Sequence, residues 1–193
     1  MNIDNLLTKL KEGSEKERLA ALRHLEQQGN ETAINALVDL LTHEHSRLVQ
    51  EAAVAALIRI NTPQVAEAVV QLLESADAWV RNAAVEILQG LGETASGVVE
   101  ELLQSFDPDL RLFAVNVLGE AKYRKAVSLL QEVVNNDSDV NVVAAAVEYL
   151  GEMGSRVTDV RCLEQAGRRF KDPFLHYAVA EALKKIGHPQ KRR

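Results

Sequence analysis

The sequence is poor in features on which many folds and chemistries depend. A single cysteine, Cys162, stands among 193 residues. No internal disulfide can form from it, and no multi-cysteine metal site can be built. A reducing, cytoplasmic setting is the expectation. Aromatic residues make up 4% of the chain, and Ala, Val and Leu carry most of the apolar content. That mix suits thin helices packed closely together better than a sheet core of aromatic and β-branched residues. No stretch of about 18 apolar residues occurs, so no membrane-spanning helix is expected. The opening segment breaks its leucines with Asp4, Lys9 and Lys11, unlike the apolar core of a secretory signal.

What is present is ordinary in amount and uneven in placement. Hydrophobic residues reach 47% and charged residues 26%, with a net charge of −6. Residues 1–62 carry seven Lys and Arg against nine Asp and Glu, residues 63–154 five against fifteen, and residues 155–193 ten against four. An acidic middle repels nucleic acid and favours a basic partner. The basic end could meet something acidic or simply be solvated.

The strongest signal is internal repetition. The segment from Trp79 to Leu88 recurs from Leu48 to Leu57 and from Asp109 to Leu118. A weaker copy runs from Glu17 to Leu25, and two more run from Val142 to Leu150 and from Leu175 to Leu183. With Arg81 as marker, the equivalent positions are Arg18, Gln50, Arg111, Val143 and His176, at steps of 30 to 33 residues. Periods of this size indicate stacked supersecondary units. A second helical pattern precedes each copy, at 3–11, 33–42, 63–74, 95–104, 124–134 and 158–170. Its apolar residues recur at helical spacing, as in Ile34, Leu37, Val38, Leu41.

The punctuation agrees with that division. Ser14 followed by Glu17 reads as a capping box. Asp107-Pro108, Asp172-Pro173 and Thr62-Pro63 place an N-cap acceptor before a proline at the first helical position. Gly29, Gly92, Gly154 and Gly187 fall just past the second helix, where a left-handed C-cap favours glycine, with Asn61 in the same place. Small residues (Ala52-Ala53, Ala83-Ala84, Ala145-Ala146, Ala178) mark places where neighbouring helices approach closely. The expected fold is all-α: an α-solenoid of about six helical hairpins, twelve helices, over residues 1–187. The repeats fall at 1–29, 30–61, 62–92, 93–122, 123–154 and 155–187, followed by a basic frayed tail at 188–193.

The Asp-x-x-Val-Arg start (Asp77, Val80, Arg81), the alanine pair, the leucine and the closing glycine resemble the short HEAT-like repeats of phycobilin lyases and bacterial adaptor proteins. The resemblance covers essentially the whole chain and implies a superhelix with second helices lining its concave surface. Helical periodicity then selects the side chains presented there. An apolar ladder of Leu19, Leu48, Trp79, Leu112, Phe174 and Tyr177 is expected beside an acidic stripe of Glu86, Glu120, Glu148, Glu152 and Glu181, with Asn82 and Asn116 between. Apolar side chains on an open face suit a partner's anchors, and the glutamates suit its Lys and Arg residues. Trp79 could instead pack onto the next repeat's loop, and the glutamates could serve solubility alone.

Enzymatic signatures are sparse. His43-Glu44-His45 falls in an expected loop without a third ligand. The positions where the di-iron hydroxylases of this fold would carry His-Glu dyads hold Glu51-Ala52, Asn82-Ala83, Leu112-Phe113 and Ala144-Ala145. No Gly-rich phosphate loop or grouped triad appears, and Cys162 reads as a packing residue. Arg81 and Arg111, with Asp77, Asp107 and Asp109, read as structural ladders between hairpins. The expectation is a non-enzymatic adaptor without cofactor or metal, binding a basic or amphipathic protein segment and neither nucleic acid nor membrane. The alternative implied by the resemblance is lyase-like, with Trp79, Phe174 and Tyr177 against a tetrapyrrole and Arg23, Arg59 or Lys185 against its propionates.

Overall fold

The structure, a computed structural model, describes residues 2–121, 123–154 and 157–187; the expected tail at 188–193 lies outside them. The chain divides into two compact units, with the division between Val98 and Val99. The N-terminal unit contains α1 (Ile3–Glu12), α2 (Glu15–Gln28), α3 (Glu31–His43), α4 (Arg47–Ile60), α5 (Pro63–Val70) with a 3-10 turn at Gln71–Glu74, and α6 (Ala78–Leu91). A second 3-10 turn, Gly92–Ala95, leads into α7 (Ser96–Leu102), within which the division falls. The C-terminal unit continues with α8 (Pro108–Glu120), α9 (Ala126–Asn136), α10 (Val140–Met153), α11 (Val157–Arg169) and α12 (Pro173–Gly187). No strand occurs among the described residues. The fold is all-α, of the helical-repeat solenoid class, and each expected pair of helices is found.

Within each unit the second helices stack on one another: α2 on α4 and α4 on α6, then α8 on α10 and α10 on α12. First helices form the other layer, as in α3 on α5 and α9 on α11. Helical spacing of Leu and Val points one stripe of every helix into the space between layers. In the C-terminal unit Leu118, Leu130 and Leu150 are fully buried there. Each contributes roughly 1.5–3 kcal/mol by leaving water. Two glycines of the C-terminal unit set how closely its second helices meet. A Cβ on Gly119 would stand 2.1 Å from the Tyr149 ring, and one on Gly151 would stand 2.7 Å from the Ala182 backbone.

The caps follow the sequence at most helix starts, Thr62 excepted, and at two of the helix ends. The Glu17 carboxylate accepts from the Ser14 backbone N–H at 2.9 Å and from its hydroxyl at 2.7 Å. Asp107 accepts from the Asp109 N–H and Asp172 from the Leu175 N–H. Thr62 precedes α5 without a side-chain cap, and its hydroxyl is buried and unsatisfied. At helix ends, Gly29 (φ 55°, ψ 16°) and Asn61 (φ 47°, ψ 59°) adopt the expected left-handed cap. Gly92 has positive φ but ψ −134°, Gly154 is extended at φ −73°, and Gly187 belongs to α12. Gly92 opens directly into a 3-10 turn, and Gly154 bonds the Leu150 carbonyl through its N–H as Gly29 and Asn61 bond those of Leu25 and Leu57, but with extended backbone.

The marker position has one chemical task in five of the six repeats: it donates to carbonyls of the loop inside its own hairpin. Arg18 reaches the Gly13 carbonyl, Gln50 that of Glu44, Arg81 those of Ser75 and Ala76, and Arg111 those of Ser105 and Phe106. His176 Nε2 reaches the carbonyls of Gly167 and Phe170; both partners are acceptors, so this nitrogen carries the proton. The fifth repeat has Val143, which cannot donate, and Arg169 from the next repeat supplies the bonds to the carbonyls of Asn135 and Asp137. Loop backbone groups that would otherwise lack a partner are thereby satisfied.

Two markers also pair with an acid 26 residues on. Arg18 grips Glu44 through Nε at 2.6 Å and Nη2 at 3.1 Å, and Arg111 grips Asp137 at 2.7 and 2.9 Å. The expected ladder partners were Asp77, Asp107 and Asp109. The Asp77 and Asp107 carboxylates instead cap their own helices, accepting from the N–H groups of Trp79 and Asp109. Glu44, read in the sequence beside two histidines, is this structural acceptor.

Candidate protein-binding face

In the C-terminal unit the exposed face of α8, α10 and α12 brings together most of the sequence-selected residues. Phe174 and Tyr177, three residues apart on α12, lie on one side of that helix and are 58% and 65% exposed. Glu120 and Glu148 are exposed, as is Glu152, while Leu112, Asn116 and Glu181 are half-buried. Tyr149 lies half-buried among these carboxylates. Burial pushes its phenol above the ordinary tyrosine value, and the charges of Glu120, Glu152 and Glu148 push it the same way.

The carboxylates are not equivalent. Lys185 reaches Glu152 at 3.1 Å and Lys184 reaches Glu181 at 2.5 Å. Neither Glu120 nor Glu148 meets a cation among the described residues. The apolar ladder is interrupted, because the fifth repeat places Ala144 at its rung and that side chain is 3% exposed. Phe174 and Tyr177 form the apolar end, and Leu112 is a partly covered rung on α8.

In the N-terminal unit Leu48 is 55% exposed, Leu19 is half-buried, and Asn82 and Glu86 are exposed on α6. Trp79 is half-buried for a reason the sequence did not suggest. The Arg47 guanidinium lies 4.8 Å from the indole centroid and also bonds Glu51 at 3.1 Å. The ring is thus covered from the preceding repeat by a cation held in place by a carboxylate. Arg59, a candidate for meeting propionates, is engaged by Glu26 through two hydrogen bonds of 2.6 and 2.7 Å.

Phe106 carries no motif that sequence patterns single out. It stands fully exposed in the loop before α8, beside a cleft of about 690 Å³ whose walls include Leu103, Leu129 and Val133. A signal was present: the same repeat position holds Gly13, His45, Ala76, Ser138 and Lys171 elsewhere, so a phenylalanine is the outlier. Cys162 is buried, with its thiol pushed up to about 11 by burial and the charge of Asp159. No three His, Cys, Asp or Glu side chains come together as a metal-holding group among the described residues. No helix among them is long and apolar enough to cross a membrane.

Comparison with known proteins places the fold. No curated protein matches the sequence. Among solved structures, a chain from a study of microtubule plus-end tracking by XMAP215, CLIP-170 and EB1 superposes with a TM-score of 0.51 at 18% identity, covering 94% of this chain and 90% of that one. Human deoxyhypusine hydroxylase gives 0.46 at 19%, covering 96% and 84%. A designed armadillo repeat protein in complex with the peptide (KR)4 gives 0.43 at 21%, covering 96% and 100%. At these identities the likeness concerns the fold. The profile of HEAT repeats matches residues 3–89 and 95–184, nearly the full length, and the chain belongs to the HEAT-repeat family.

Proposed function

We propose that this HEAT-repeat chain is a non-enzymatic, cytoplasmic adaptor that binds a basic, amphipathic segment of another protein on its second-helix face. The observation that carries this reading is the exposed surface of α8, α10 and α12. Two aromatic side chains, 58% and 65% exposed, lie on the same helix layer as Glu120 and Glu148, which have no counter-ion among the described residues. Water-facing aromatics are costly unless a partner covers them, and unneutralised carboxylates beside them select cations. In the N-terminal unit, Trp79, Asn82 and Glu86 on α6 form a candidate surface of their own, with the indole oriented by Arg47.

The lyase-like alternative receives less support. Arg59 and Lys185, two of its three propionate-binding candidates, are held by Glu26 and Glu152.

Selection from a random peptide library against the intact protein tests the adaptor reading. Enrichment of peptides carrying Lys or Arg beside apolar residues, lost when the bait is Glu120→Lys/Glu148→Lys, is the expected result. Enrichment of acidic peptides, or no enrichment at all, would contradict it.

A further inference from the structure

The second-helix face of the C-terminal unit also carries information about the spacing of its ligand. Successive second helices run side by side, α8 against α10 and α10 against α12, and packed helices lie about 8–10 Å apart. The contact of Lys185 with Glu152 and the close approach of Gly151 to Ala182 fix the register of α10 against α12. The approach of Gly119 to Tyr149 does the same for α8 against α10. Equivalent repeat positions therefore lie side by side across the three helices, and the ligand-facing residues step along them. Tyr177 is one residue past its marker His176, Glu148 five past Val143 and Glu120 nine past Arg111. A chain crossing on this diagonal meets first the aromatic pair on α12, then Glu148 on α10, then Glu120 on α8.

Glu152 and Glu181 lie on the same face but are engaged by Lys185 and Lys184. A ligand cation placed there would first have to displace a lysine of this chain, whereas at Glu148 and Glu120 no cation of the described residues stands in its way. Each diagonal step combines about 8–10 Å across with about 6 Å along the helix, close to the roughly 10 Å that three residues of extended chain span.

Resting on the adaptor reading above, we infer that the ligand is an extended segment with one apolar residue and two basic residues at three-residue intervals. The apolar residue docks on Phe174 and Tyr177, the first cation on Glu148 and the second on Glu120. Lys184 and Lys185 limit recognition to two cations by occupying the remaining carboxylates.

The test uses the full chain and fluorescein-labelled peptides in a Gly-Ser background, read by anisotropy at low salt. One peptide carries a leucine and two arginines at three-residue intervals, and a second is the same order reversed. A third spaces the same residues seven apart, as a helical ligand would need, and a fourth makes all three adjacent. At least one three-interval peptide should bind about tenfold more tightly than the third and fourth. Glu148→Gln and Glu120→Gln should each weaken it about fivefold, and Glu152→Gln and Glu181→Gln by less than about twofold. All four changes are isosteric and lie on exposed or half-exposed positions, and circular dichroism confirms that each variant is folded. Equal binding of all four peptides with Glu120 and Glu148 still required would overturn the spacing while leaving the adaptor reading intact. Preference for the seven-interval peptide would overturn the extended conformation. Larger effects at Glu152 and Glu181 than at Glu120 and Glu148 would overturn the role given to the lysines. Binding of none of the peptides would remove both this inference and the reading beneath it.

Discussion

At the scale of single residues, the marker position shows how one sequence signal can stand for two jobs. Arg111 satisfies loop carbonyls of its own hairpin and holds Asp137 of the next, where the pair is only 14% and 7% exposed. Burial pushes the Asp137 carboxyl up. The Arg111 hydrogen bonds and the Asp139 N–H outweigh that, so its pKa lies below the usual aspartate value. Glu44 behaves alike, with burial opposed by the Ser46 N–H, Arg18 and the His45 N–H. A depressed folded-state value adds stability above the unfolded-state value, about 4, that disappears as pH falls through the lower folded value. Urea unfolding should show stability level above about pH 5 and falling below about pH 4. Asp137→Asn should cost roughly 3 kcal/mol at pH 7, because it strands a mostly buried guanidinium. Its deficit should shrink in acid; a deficit that is constant with pH would show that packing, not charge, matters there. Cys162 offers a second check. With its thiol pushed up to about 11 and its side chain buried, it should react with a disulfide reagent at pH 8 only after denaturant unfolds the chain.

Helices and their joints were the most legible level, because a 3.6-residue period and N-cap chemistry are local. The capping box at Ser14 and Glu17 and the Asp-Pro starts of α8 and α12 could be read directly from neighbours in sequence. The ends were less legible, since whether a glycine must turn left-handed depends on the path of the backbone beyond it. Gly92 feeds a 3-10 turn, and Gly154 is itself extended. Close helix approach was visible as alanine pairs, yet the tightest contacts use Gly119 and Gly151 inside α8 and α10. Their partners, Tyr149 and Ala182, lie about thirty residues away, beyond any local pattern. These contacts give a prediction of opposite signs. Alanine is favoured over glycine in a helix by about 1 kcal/mol, so Gly97→Ala in α7, with open space around its Cβ, should stabilise the chain by up to that amount. Gly151→Ala gains the same propensity but drives a Cβ against the Ala182 backbone. Overpacking costs about 1–3 kcal/mol, and the variant should melt earlier than the wild type. Stabilisation by both changes would show that α10 and α12 have room to separate.

For the molecule as a whole, the period of the repeats announced the fold, and the distribution of charge suggested the kind of partner. Neither could reveal that Glu152 is already occupied, because Lys185 reaches it from the next repeat, whereas Lys184 pairs with Glu181 three residues before it on the same helix. The sequence also offered Trp79 as an open anchor, and its cover, Arg47, comes from the preceding repeat. Contacts between repeats thus decide which of the aligned side chains remain available to a ligand. The most direct test of the adaptor account is reversal of selectivity. Affinities of a basic, leucine-containing peptide and of its acidic counterpart should be measured calorimetrically on the wild type and on Glu120→Lys/Glu148→Lys. The account predicts that the wild type prefers the basic peptide by at least about tenfold and that the variant prefers the acidic one. An unchanged preference in a variant of unchanged helical content would place recognition elsewhere and contradict the account.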